Sequence, residues 1–119
     1  MRSIIFASTL MLVTAAHAHE ATGPNGGRLV DAGDLHVELV AKGKAVDVFV
    51  SDANEKPLAV DGYKGTAVLV IDGKPQRIQL APASANRLTG VAAIDVPKTP
   101  RGAVQLQLPN GGSVQGRFQ

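Results

Sequence analysis

Four residues near the start of the chain, His19, Glu20, His36 and Glu38, are of types and spacings that can hold a metal ion. His36 and Glu38 stand at i and i+2 in residues 35–41, LHVELVA, where Leu35, Val37, Leu39 and Ala41 alternate with His36, Glu38 and Val40. A period of two marks a strand with one buried face, so both polar side chains point the same way, about 6.5–7 Å apart along the backbone. A shared ligand or a modest charge interaction suits that spacing. His19 enters by another route. Residues 16–18, Ala-His-Ala, match the small-residue pattern at which a secretory leader is cut, and a cut after Ala18 makes His19 the first residue. A free terminal histidine chelates through its α-amine and its ring. A second imidazole from His36 then gives a three-nitrogen set suited to Cu(II). Glu20 or Glu38 completes the set; with Zn(II) the carboxylates carry more of the binding, because only two imidazoles remain. The alternative is a strand-face His36 paired with Glu38 and no metal at all.

The expectation of export rests on three features in the right order. Arg2 supplies a positive start, residues 4–13 form a short apolar run, and small residues close the segment. The apolar run is too short to anchor the chain in a bilayer. A cut after Ala16 instead would begin the chain at His17. Either cut predicts a periplasmic or extracellular protein of about a hundred residues, enough for one core, with no transmembrane anchor after processing. The chain has no cysteine, so disulfides do not staple that core.

Composition narrows the chemistry further. Lys and Arg number 12 and Asp and Glu 10, and the two signs are interspersed along the chain. Aromatic residues are 3% of the total, and past the leader only Phe49, Tyr63 and Phe118 remain. Nucleic-acid recognition needs a clustered positive stripe and stacking rings, so that class is excluded. Both methionines, Met1 and Met11, lie in the leader. No sulfur ligand is left for Cu(I), which favours thiolate and thioether. Enzyme readings find no footing either. Ser51, Ser84 and Ser113 stand in no nucleophile elbow, His36 is the one base within the folded body, and the aspartates sit beside turns, where backbone reasons suffice. Residues 23–27 neither follow a strand nor open a helix, as a phosphate-cradling loop would.

The elements that must position these residues are strands. Residues 27–31 and 35–41 predict a small hairpin, and Lys42-Gly43-Lys44 turns the chain into residues 45–51, where Val46, Val48 and Val50 alternate with polar positions. Residues 52–57 form a turn, and Pro57 leads a short edge segment. Residues 66–71 and 76–81 flank Asp72-Gly73, residues 82–86 form a small polar loop, and residues 88–96 make a strand bent or bulged at Gly90. Residues 104–108 and 113–118 close a last hairpin across Asn110-Gly111. No stretch past the leader has a helical period. Seven main strands with short edge pieces predict an all-β fold: a single antiparallel β-sandwich of immunoglobulin-like topology, with a Greek-key β-barrel as the alternative. The expected organisation is a leader at 1–18, a flexible lead-in at 19–26 and the β-domain at 27–119.

The run Gly23-Pro24-Asn25-Gly26-Gly27-Arg28-Leu29-Val30, then Gly33 and His36-Val37-Glu38-Leu39-Val40, resembles small exported proteins encoded beside heavy-metal efflux systems. It is also similar to the N-terminal β-domain of periplasmic adaptor subunits in heavy-metal resistance-nodulation-division pumps. Residues 52–58, DANEKPL, and the strand entry Gly65-Thr66-Ala67-Val68 fit the same pattern. Such relatives often carry a histidine directly before the paired glycines, where this chain has Asn25. The resemblance implies a periplasmic role in metal handling and a metal-efflux adaptor or pump component as partner. A second likeness, to copper-resistance β-sandwich proteins that begin with histidine after export, rests on Ala16-His17-Ala18-His19. The rival expectation is a metal-free interaction module of the cell envelope, pairing by strand addition.

Overall fold

The computed structural model describes residues 20–119, for Glu20 the backbone alone; the expected leader and His19 lie outside the described residues. Nine strands follow one another: β1 (Glu20–Thr22), β2 (Arg28–Ala32), β3 (Leu35–Lys42), β4 (Ala45–Ser51), β5 (Lys64–Ile71), β6 (Lys74–Ser84), β7 (Arg87–Val91), β8 (Arg101–Gln107) and β9 (Ser113–Phe118). Among the described residues there is no helix, and so none long and apolar enough to cross a membrane.

Turn chemistry sets the pairing. Gly33-Asp34 joins Ala32 to Leu35, Gly43-Lys44 joins Lys42 to Ala45, and Asp72-Gly73 joins Ile71 to Lys74. These are two-residue hairpins. Asp72 and Gly73 have φ of 52° and 76°, the paired positive angles of a type I′ turn, which matches the twist of the strands it connects. All pairings are antiparallel, in the order β1-β2-β3-β4-β7-β6-β5-β8-β9. The sub-order β8-β5-β6-β7, three hairpin-linked strands with the next returning beside the first, is a Greek key.

The strands thus form one continuous sheet that curls into a half-barrel, and β6 is where it bends. Residues 74–80 of β6 pair with β5, while Ala81, Pro82 and Ser84 pair with β7 across a register shift between Pro82 and Ser84. The polar loop expected from residue 82 is therefore strand as far as Ser84, carried over the bend by the bulge. The following strand is short, Arg87–Val91. Gly90 does not bulge; a side chain there would overlap the Gln79 carbonyl oxygen, so glycine lets β6 and β7 approach. The expected lead-in is also partly strand, since residues 20–22 pair with β2 as β1.

Curling brings β9 across the inner face of β2. Gly116 is what permits the contact, because a Cβ at that position would stand 2.9 Å from Val30 Cγ2. Arg28 ties the junction at the rim. It donates to the carbonyls of Pro100, at 2.7 Å, and Gln119, and its guanidinium stands 6.0 Å from the Phe118 ring centroid. Between the limbs lies a single core of Val37, Leu39, Val46, Val48, Val50, Ala67, Leu69, Leu88, Val104, Leu106 and Phe118, all buried. The alternation read from the sequence sends these side chains inward, and their removal from water holds a fold without cross-links together.

Candidate functional site

His36 and Glu38 lie on the outer face of the β2–β3–β4 limb, opposite the core-facing Val37 and Leu39. Their fates differ. Glu38 is 1% exposed, the one buried charged residue of the described chain, and residues 23–27 fold over it. The Asn25 amide N–H donates to Glu38 Oε2 at 2.9 Å and to Oε1 at 3.2 Å, the Asn25 side-chain amide to Oε1 at 2.9 Å, and the Gly27 N–H to Oε2 at 2.8 Å. A carboxylate out of water requires such charge-assisted bonds to both oxygens.

The glycine-rich sequence is explained by the same contact. Gly26 N–H donates to Gly23 O at 3.0 Å, with Pro24 second and Gly26 fourth in the turn, the residue pattern of type I. Gly26 has φ of 79°. A Cβ on Gly23 would overlap the Glu38 carboxyl carbon. The motif GPNGG is thus a cover shaped to one carboxylate. Asn25 is one of the residues that hold that carboxylate.

His36 does not pair with Glu38. The two-residue turn at Gly33-Asp34 sets Asp31 directly across the ladder from His36. His36 Nε2 stands 3.1 Å from Asp31 Oδ1, with the side chains 23% and 58% exposed. The other ring nitrogen, Nδ1, is buried without a hydrogen-bond partner among the described residues. Nε2 and Asp31 therefore face the solvent side, over a pocket of about 300 Å³ lined by Ala21, Leu29, Val30, Asp31, His36 and Glu55. A larger hollow of about 390 Å³ adjoins it, floored by Leu29 and Phe49 and walled by Asn25, Glu38, Glu55 and Pro57. Glu55 borders both.

His36 Nε2 and Asp31 Oδ1, 3.1 Å apart, are within hydrogen-bonding distance of each other, and both are donor types that a divalent transition metal takes. Among the described residues no three His, Asp or Glu side chains converge, so further donors must come from elsewhere. Of the residues singled out from sequence, His36 is presented to solvent, Glu38 is engaged by the loop, Glu20 lies in β1 with its backbone opposite Val30, and His19 is outside the described residues. By sequence alone Asp31 is a turn-flanking aspartate like the others. The signal that finds it is the length of the turn: two residues between β2 and β3 force Asp31 opposite His36.

At the other end of the face, Asp47 accepts from Thr89 Oγ1 at 2.6 Å and meets Arg87 at 3.6 Å, a structural pair on neighbouring strands. No family model, curated protein or solved structure matches the chain.

Proposed function

We propose that this is a non-enzymatic periplasmic protein of heavy-metal handling that binds a divalent transition metal, Cu(II) or Zn(II), on the outer face of the β2–β3–β4 limb. The observation that carries the reading is the His36–Asp31 pair, 3.1 Å apart and open to solvent. In this reading His19, freed by signal peptidase, supplies its imidazole and α-amine as the further nitrogen donors. Glu55 lines the same pocket as Asp31 and His36 and is a further carboxylate at hand. Glu38 is the anchor of the 23–27 loop and takes no part in ligation.

A metal-efflux adaptor or pump component is the partner this reading implies, through the resemblance of the 23–40 segment. At the finer level of the fold we read the two limbs as the layers of an immunoglobulin-like sandwich. What supports this is the passage of β6 from one limb to the other.

Calorimetric titration of the exported protein, its first residue fixed by mass spectrometry, tests the metal reading. One saturable site for Cu(II) or Zn(II), weakened by His36→Ala, by Asp31→Asn and by an extra residue before His19, is expected. Binding no stronger than that of a free peptide with the same first residues contradicts it and leaves a metal-free interaction module.

A further inference from the structure

The second limb carries a different surface. No aspartate or glutamate occurs in β5, β6, β8 or β9, whereas Lys64, Lys74, Arg77, Arg101 and Arg117 all do. Burial alternates along these strands, with Ala67, Leu69, Ile78, Leu80, Val104, Leu106 and Phe118 facing the core. The intervening positions therefore face out, and Lys64, Arg77, Arg101 and Arg117 are exposed. The register places them. Arg77, Val68, Ala103 and Arg117 form one row across four strands, with Val70 and Arg101 in the adjacent row. On the other side of it runs a row of Gln79, Thr66, Gln105 and Gln115. Lys64, Arg77, Arg101 and Arg117 have no ion pair or side-chain hydrogen bond among the described residues.

We infer that this face docks a carboxylate-rich segment of another protein. Arg101 and Arg117 are diagonal neighbours on adjacent strands, and no acid in the four strands offsets any of the cations, so the complementary charge is left to a partner. Three of the four cations are arginines, whose fork geometry matches carboxylates bidentately. Beside them a groove of about 250 Å³, lined by Lys64, Thr66, Arg77, Gln79, Gln105 and Gln107, offers amide donors and acceptors to a polypeptide backbone. Val68 and Val70, 36% and 48% exposed, supply a small apolar patch between the arginines. A bilayer surface fits less well. The face has no aromatic or leucine side chain pointing outward to enter a headgroup region, as interfacial binding requires. The inference is independent of the metal reading, because the two faces share no residue.

Fluorescence anisotropy with a labelled peptide of alternating Glu and Ser tests it on the exported protein. The peptide is expected to bind, with affinity that falls as salt is raised. The combined change Arg77→Glu, Arg101→Glu and Arg117→Glu should weaken binding by about tenfold or more. Lys42→Glu, Lys44→Glu and Lys98→Glu, an equal change of charge elsewhere, should weaken it far less. Arg77→Gln with Arg117→Gln provides a milder variant, and circular dichroism checks that each remains folded. Equal loss in the two charge-reversed proteins would overturn the inference, since net charge alone would then explain binding. Binding to phosphatidylglycerol vesicles without binding to the peptide would overturn it in favour of a membrane surface, and binding to neither would overturn it outright.

Discussion

The acids carried by β2, β3 and β4 themselves each have a partner: Asp31 has His36, Glu38 has the 23–27 loop, and Asp47 has Arg87 and Thr89. In β5, β6, β8 and β9 four outward cations have none among the described residues, and these strands carry no acid. Both limbs use the same alternation to build a shared core, so the difference lies wholly in the outward positions. In the first limb the charges are engaged, Glu38 by the loop folded over it and Asp31 by a histidine. In the second it is turned outward. A buried and fully bonded carboxylate bears on stability, whereas exposed unpaired cations bear on association.

The sharpest way to break this contrast is at Glu38. Glu38→Ala removes the acceptor of every Asn25 and Gly27 bond that ties the 23–27 loop down and is expected to cost about 3 kcal/mol in chemical denaturation. Glu38→Gln keeps one acceptor oxygen and should cost less. Gly23→Ala comes next, at about 1–3 kcal/mol, because its methyl group collides with the Glu38 carboxyl. In a Glu38→Ala background the same change should cost markedly less, and a double-mutant cycle measures that coupling.

Asp31→Asn separates metal binding from stability. Losing a ligand costs at least what losing an outer-shell partner does, so affinity for Cu(II) or Zn(II) should fall by about tenfold or more, while unfolding free energy should change by under about 0.5 kcal/mol, as expected of an exposed site. Smallest of all should be the stability effect of Arg77→Gln or Arg117→Gln, within about 0.5 kcal/mol of zero. A loss of several kcal/mol at either arginine would mean that the second face has a structural role, and the contrast between the faces would fall.

Much of this architecture can be read directly from side-chain type. The alternation in residues 35–41 and 45–51 and the Asp72-Gly73 turn specify strands and hairpins locally, and the structure has them. The long-range order is less legible. Nothing near residue 51 says that β4 pairs with β7 and not with β5, because the choice depends on β6 bending at Pro82, a property of the assembled sheet. The site divides along the same line. His36 and Glu38 share a face as period two requires. That Glu38 is buried follows only once residues 23–27 fold back over it, a contact between residues 11 to 13 apart. Asp31 falls opposite His36 because the turn is Gly33-Asp34, one residue shorter than the gap between the strands expected at 27–31 and 35–41, whereas Glu55 reaches the pocket from the loop after β4, which no local pattern connects to it.

The claim that matters most is that the His36 ring on the β2–β3–β4 face holds metal together with the processed N-terminus. Long-range ¹H–¹⁵N NMR of the imidazoles in the exported protein tests it directly, with Zn(II) added to one equivalent. The account predicts that the His36 ring nitrogens shift together with those of the N-terminal histidine, and that Asp31→Asn diminishes both changes. A shift confined to the N-terminal histidine, with His36 unmoved, would contradict it.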